Sequence, residues 1–145
     1  MLALSSGIVY ACSCREPSVE DKKNHSDVVF RGTITALRDA EKPAGISAGW
    51  GRDTKKIAVF RVSRVWKGEV GQSFEMPAVQ ETSVCFGFWP PFLKVGNDLL
   101  IYASHSIFSE SEYYTSICGF HKPASAAKDL EELGPGQEPQ KPKRE

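Results

Sequence analysis

The sequence lacks a surplus of either charge, a long apolar run and any internal repeat. Eighteen basic residues balance eighteen acidic ones, so the formal net charge is zero. A nucleic-acid-binding surface needs an excess of Lys and Arg to neutralise phosphates, and this balance therefore argues against nucleic acid as a partner. No apolar segment approaches the roughly 20 residues that a membrane-spanning helix needs, so we expect no membrane span.

Motifs for the common catalytic chemistries are also missing. The chain has no Gly-rich phosphate-binding loop, no nucleophile elbow and no paired metal-binding motif. The histidines, His25, His105 and His121, share no recognisable spacing. We therefore expect a protein that is not an enzyme and that holds no cofactor or metal of its own.

Cysteine is scarce, but the number is even. The four cysteines are Cys12, Cys14, Cys85 and Cys118. In an oxidising compartment, widely separated cysteines in even number predict two disulfides, for which three pairings exist. One alternative is a structural metal site that uses Cys12-x-Cys14 and Cys118-x-x-His121. Another is redox catalysis by the Cys-x-Cys pair, which needs an accessible thiol of low pKa and has no thioredoxin-like pattern around it.

The first eleven residues predict export. They carry no charged side chain and end in Val9-Tyr10-Ala11, which is typical of a signal-peptide cleavage site. Cleavage after Ala11 would make Cys12 the first residue of the working protein. We interpret residues 1–11 as the remnant of a leader and expect a secreted, extracytoplasmic protein. Bacterial lipidation of Cys12 is an alternative, since a small residue before cysteine can signal it.

The rest of the chain predicts a mainly β domain over residues 12–133. Residues rich in β-branched and aromatic side chains predict strands at Val28–Leu37, Lys56–Gly68, Ser73–Val79, Asn97–Ser104 and Glu112–Phe120. Alternation along the second strand predicts that Val65 shares a face with Arg61 and Ser63. Five or six strands at this spacing predict a small closed β-barrel, and periodicity alone leaves open whether it is OB-like or a sandwich.

Three further segments complete this organisation. Residues 15–27 are polar and turn-like, and Arg38–Lys55 is a long loop without periodicity. Ser125–Leu133 predicts a short helix, with Ser125 as its cap and Gly134 at its end. Residues 134–145 are Pro-rich and polar, which predicts a disordered tail.

Six short segments follow one another in a distinctive order. They are CSC at 12–14, SDVVFRG, VSRVWKG, TSVCFGF, LLIYA and TSICGF. In this order, and with the four cysteines in register, they resemble the N-terminal domain of the tissue inhibitors of metalloproteinases, which are netrin-like modules. The resemblance runs from Cys12 to about Leu133. It implies an OB-like barrel and the disulfides Cys12–Cys85 and Cys14–Cys118.

The resemblance also implies a function. In that family the amino group and carbonyl oxygen of the first cysteine chelate the catalytic zinc of a metalloprotease. A catalytic zinc keeps an open position for water, which such a chelate can occupy. The implied partner is thus a zinc metalloprotease, and the implied contact residues are Cys12, Ser13, Cys14, Arg15, Ser83, Val84 and Cys85.

One departure refines the comparison. The animal inhibitors have a third disulfide in this domain, whose first cysteine would fall near Asn24, where this chain has none. A two-disulfide version fits a divergent or bacterial relative. Because a fold does not fix a function, the alternative is a non-inhibitory protein-binding module or an envelope lipoprotein built on the same scaffold.

Overall fold

A computed structural model describes residues 17–39, 56–78, 92–105, 112–116 and 118–142. Within these ranges the chain forms two α-helices, six β-strands and one 3₁₀ turn. In chain order they are α1 (Val19–Asn24), β1 (Val28–Asp39), β2 (Lys56–Lys67), β3 (Ser73–Pro77), β4 (Asp98–His105), β5 (Tyr113–Tyr114), β6 (Phe120–His121), the 3₁₀ turn (Pro123–Ser125) and α2 (Ala127–Leu133).

All six strands belong to one antiparallel sheet. The strand order is β3-β2-β1-β4-β5, and β6 also pairs with β4. The first and last strands of this order approach each other, because the ring of Phe74 on β3 lies 5.0 Å from the ring of Tyr113 on β5. The sheet therefore curls into a nearly closed barrel, and the predicted OB-like β-barrel with a short C-terminal helix is confirmed.

Apolar side chains fill the barrel. The residues that point inward come from every long strand, and the largest fully buried ones are Phe30, Ile34, Phe60, Met76, Leu99 and Ile101. Phe30 meets Phe60 edge-on, with ring centroids 5.6 Å apart, which is a favourable aromatic geometry. Burying each such side chain stabilises the fold by about 1.5–3 kcal/mol.

The alternation along β2 changes phase halfway. Ser63 and Arg64 are both exposed, and Val65 lies in the barrel core with Phe60, so the predicted placement of Val65 is wrong. The pairing with β1 shifts by one position beside Gly32, which is the signature of a β-bulge. A Cβ on Gly32 would come within 3.0 Å of the carbonyl oxygen of Arg61. The bulge thus depends on a glycine that lets the two strands approach closely.

A second apolar cluster lies against the sheet outside the barrel core, and helix α2 packs on it. The residues in this second apolar cluster are Val29, Leu100, Tyr102 and Ala126, with Trp66, Leu130 and Leu133 packed against them. Helix α2 supplies the last two, which explains why a two-turn helix is stable there. Among the described residues, neither helix is long and apolar enough to span a membrane.

Two helix predictions need correction. The polar segment 15–27 contains α1, whose first turn is capped by Ser18 accepting a hydrogen bond from the backbone N–H of Asp21 at 3.1 Å. Helix α2 begins after Ala126 and not after Ser125, because the Ser125 hydroxyl donates to the Lys122 carbonyl of the preceding 3₁₀ turn. The predicted end at Gly134, with φ of 78°, is confirmed.

The predicted last strand and the predicted tail also differ from the structure. Glu112–Phe120 is not continuous, because β5 and β6 are separated by a turn that returns the chain to β4. Residues 134–142 are not a free tail: Gln137 pairs with Val65 of β2, and Gln140 pairs with Gly71. Most of the long loop Arg38–Lys55 and the whole segment TSVCFGF, at 82–88, lie outside the described residues.

Candidate partner-binding site

All seven predicted contact residues lie outside the described residues. These are Cys12, Ser13, Cys14 and Arg15 in one segment and Ser83, Val84 and Cys85 in the other. Cys118, the fourth cysteine, is described and half-buried. The site is therefore built here from Cys118 and from the described residues where the N-terminal segment joins the barrel.

Cys118 is disulfide-bonded, and the described part of the chain contains no free cysteine. Its partner is one of the other three cysteines, and the predicted bond to Cys14 stays a prediction. A disulfide sulfur is not a thiolate, so Cys118 does not supply the metal ligand that the alternative site with His121 needs. No cluster of three or more His, Cys, Asp or Glu within the described ranges could hold a metal ion.

The turn that carries Cys118 is fixed to β4 by hydrogen bonds. The Cys118 N–H donates to the Ser116 hydroxyl at 3.2 Å. The Tyr102 N–H donates to the Gly119 carbonyl at 2.7 Å, and the Thr115 hydroxyl donates to the Tyr102 carbonyl at 2.8 Å. A Cβ on Gly119 would lie 2.2 Å from the Thr115 hydroxyl oxygen, so this turn admits no side chain there. The sulfur of Cys118 is thereby attached to a rigid part of the barrel.

A groove of about 710 Å³ separates this turn from helix α1. Its lining includes Pro17 and Asp21 on the α1 side and Tyr114, Ser116 and Cys118 on the barrel side. The point where the N-terminal segment enters the described structure and the disulfide-bonded sulfur thus border the same groove.

Helix α1 is held in place at its C-terminal end by side chains. The Lys67 ammonium donates to the Lys23 carbonyl at 2.7 Å, and the Ser26 hydroxyl donates to the Lys22 carbonyl at 2.7 Å. A lysine at the end of a helix both satisfies free carbonyl groups and complements the helix dipole. Since a six-residue helix has little intrinsic stability, the tertiary bond from Lys67 of β2 is what fixes its position on the barrel.

A carboxylate joins α1, β4 and α2 beside the groove. Asp129 of α2 forms an ion pair with the Lys22 ammonium of α1 and accepts a hydrogen bond from the Tyr102 hydroxyl at 2.8 Å. The Lys22 nitrogen also lies 5.0 Å from the centre of the Tyr102 ring, within range of a cation–π contact. The side chains of Lys22 and Asp129 are only 16% and 15% exposed, so water screens this pair weakly.

The network shifts the pKa of two of its members. Burial by itself would raise the pKa of Asp129, but the hydrogen bonds from Lys22 and Tyr102 and the positive charge of Lys22 outweigh it and lower the pKa overall. Burial, followed by the hydrogen bond to Asp129, raises the pKa of the Tyr102 hydroxyl. Tyr102 therefore stays protonated and donates, and Asp129 stays ionised and accepts.

Replacing Asp129 by Asn tests this network. Loss of charged hydrogen bonds is expected to lower the free energy of unfolding at pH 7 by about 1.5–3 kcal/mol. Because the folded-state pKa of Asp129 is lowered, its stabilisation is present above the unfolded pKa near 4 and is lost as the pH falls through the folded value. The difference between the wild type and Asp129→Asn in urea melts should therefore shrink below about pH 4.

The matched control is Glu132→Gln on the same helix. Glu132 pairs with Lys128 at 3.9 Å across one helical turn, on the surface, so its removal should cost less than about 0.5 kcal/mol. Equal losses for the two variants, or a difference that does not change with pH, would show that the Asp129 network does not stabilise the fold.

Sequence reasoning missed the α1 side of this site. Lys22 was assigned to a turn-like segment, yet the pattern Ser18-x-x-Asp21 matches a helix-capping motif. The basic residues Lys22 and Lys23 in the last turn are a further helix signal. No local pattern, by contrast, indicates that Asp129 contacts Lys22, since the two are 107 positions apart.

Comparison with family models and with curated protein sequences gives no match. No family model matches the chain, and no curated protein matches it in sequence. The similarity to the metalloproteinase inhibitors therefore depends on the six short segments and the cysteine register described above.

Proposed function

We propose that the protein is a secreted inhibitor of zinc metalloproteases, in which Cys12 is the first residue after leader cleavage. Its amino group and carbonyl oxygen would chelate the catalytic zinc of the target. The observation that supports this proposal most directly is that Pro17 and the disulfide-bonded Cys118 line the same groove. Cys14 lies three residues before Pro17, and three extended residues span at most about 10 Å. Cys14 can therefore form a disulfide with Cys118 only if Pro17 lies close to Cys118, as it does when both line one groove.

Rigid attachment is what the mechanism needs. A terminal residue that is free to move must lose its conformational freedom on binding, and this loss weakens binding. Here the N-terminal segment would be held on one side by α1, which the network around Asp129 fixes, and on the other by a bond to the turn that β4 holds. The bond from Cys12 to Cys85 would place the second contact segment, Ser83 to Cys85, beside the first.

The chelating atoms suit the chemistry. An α-amino group has a pKa near 8, so about a tenth of it is neutral and able to bind zinc at pH 7, and coordination to the metal draws the rest into the neutral form. The amine nitrogen and the carbonyl oxygen of one residue close a five-membered ring around the metal. Ser13 would then point toward the main specificity pocket of the protease, where its small side chain neither fills nor blocks the pocket, and Arg15 would lie along the cleft.

The test starts from the protein as the cell exports it. N-terminal sequencing and intact mass should show Cys12 as the first residue with an unmodified amine. This protein should inhibit at least one member of a panel of zinc metalloproteases at a ratio near one to one, and should leave a serine protease unaffected. A protein that keeps residues 1–11, or that carries an acyl group on the nitrogen of Cys12, has no free α-amine on Cys12. That result would favour the non-inhibitory envelope module instead.

A further inference from the structure

The segment after α2 closes a gap in the sheet. Strand β3 pairs with β2 over Ile57–Arg61, which leaves the second half of that β2 edge for another segment. Gln137 fills it, with two backbone hydrogen bonds of 2.8 and 2.9 Å to Val65. Gln140 donates its N–H to the carbonyl of Val70 at 2.9 Å, in the connection between β2 and β3. Residues 134–142, called here the C-terminal strap, thus lie between β2 and that connection.

The strap is attached by few contacts. Beyond these backbone bonds, the Trp66 indole N–H donates to the Gly134 carbonyl at 2.9 Å. Most strap residues are exposed, and the strap contributes no side chain to either apolar cluster. Segments with exposed hydrogen bonds and little apolar burial open locally at a small fraction of the global unfolding free energy.

The connection to α2 has the composition of a hinge. Gly134 and Gly136 have φ angles of 78° and 66°, with Pro135 between them. The backbone of Gly136 also packs closely against the side chain of Trp66. A Cβ at this position would come within 2.9 Å of the indole nitrogen and 3.0 Å of the Val65 carbonyl oxygen. The β2 edge therefore selects a strand with glycine at this position, a requirement that the chain's own Gly-Pro-Gly-Gln sequence meets.

We propose that the C-terminal strap is a detachable strand, and that the β2 edge beneath it accepts the strap of a second copy of this chain. Within the described residues, every hydrogen bond that holds the strap involves backbone atoms or Trp66, so a strap from another molecule can make the same bonds. The strap on the same chain competes at an effective concentration in the millimolar range. Exchange is therefore expected when the protein refolds at high concentration, and the product is a strand-exchanged dimer.

The experiment uses the full chain and a synthetic peptide of residues 134–142. The variant Gln137→Pro/Gln140→Pro loses the two strap N–H donors, which should uncover the edge, and it should bind the peptide in calorimetry. The control Gln137→Ala/Gln140→Ala keeps both donors, so its own strap stays in place and peptide binding should be at least tenfold weaker. A peptide carrying the same two prolines should likewise bind at least tenfold more weakly, since two hydrogen bonds are lost.

Two further measurements distinguish strand exchange between two molecules from simple detachment of the strap. After refolding at millimolar concentration, light scattering should find dimers of the wild type and of the alanine control, but none of the diproline variant. In the native wild type, the Val65 amide should exchange hydrogen faster than the Tyr102 amide, which bonds to Gly119 in the barrel. The proposal is overturned if the diproline variant does not bind the peptide. It is also overturned if the Val65 amide exchanges its hydrogen only when the whole protein unfolds.

Discussion

Insertion of one alanine before Cys12 is expected to abolish metalloprotease inhibition and to leave the fold intact. The inserted residue converts the α-amine of Cys12 into an amide nitrogen. The lone pair of an amide nitrogen is delocalised into the carbonyl group, so this nitrogen cannot bind zinc. The first carbonyl and the new amine are also displaced by one residue, about 3.5 Å when extended. A chelate built for one geometry tolerates no such shift, so we expect the inhibition constant to rise by at least a factor of 100.

The control for this insertion is stability. The described structure begins at Pro17, and an added residue before Cys12 removes no contact that the described residues make, so urea melts should agree with the wild type within about 0.5 kcal/mol. Acetylation of the exported protein's α-amine should reproduce the loss of inhibition. Full activity of the insertion variant would show that the terminus does not bind the zinc and would leave the barrel without this function.

Loss of the Cys118 disulfide is expected to have the largest effect on stability. A bond to Cys14 closes a loop of about 100 residues, for which chain-entropy arguments give about 4–5 kcal/mol, and measured losses of native disulfides fall at about 2–5 kcal/mol. Cys118→Ser should therefore lower the urea midpoint markedly. Serine is close in size to cysteine, and Cys118 lies on a turn held by backbone hydrogen bonds, so packing contributes little to the change.

Double substitution identifies the partner of Cys118. If Cys14 is bonded to Cys118, then Cys14→Ser, Cys118→Ser and the double variant should lose the same stability, since each removes one bond. Combining Cys118→Ser with Cys12→Ser should cost more than either alone, because two different bonds are lost. Additive losses for Cys14 and Cys118 would refute the predicted pairing, and so would a Cys85→Ser/Cys118→Ser double variant that is no less stable than either single variant. Peptide mapping without reduction gives the same answer directly.

The strands were predictable because burial imposes a local pattern on them. Val28–Leu37 and Asn97–Ser104 combine β-branched and aliphatic residues in short runs that favour a buried strand, and both segments lie in strands of the structure. The phase change at Val65 was not predictable in this way. It accompanies a bulge in the pairing of β2 with β1, beside Gly32, which is 31 or more positions away from Ser63 and Arg64 in the chain and so is not part of the local pattern of β2.

Polar segments were harder to interpret because their structure depends on distant partners. The Pro-rich strap has the composition of a disordered tail, yet Val65 and Val70 offer backbone groups that it pairs with. Helix α1 is short and polar, and what stabilises it includes Lys67 from β2 and Asp129 from α2. The composition of a segment indicates how much apolar surface that segment can bury by itself. It does not indicate whether another part of the chain supplies a carboxylate or a free strand edge that the segment can bind.

The carboxylate of Asp129 has a consequence for how the molecule opens. Helix α1 precedes the barrel and α2 follows it, so the ion pair with Lys22 ties the two ends of the domain to each other. Detachment of either helix has to break the same bond, so the loss of one helix loosens the other.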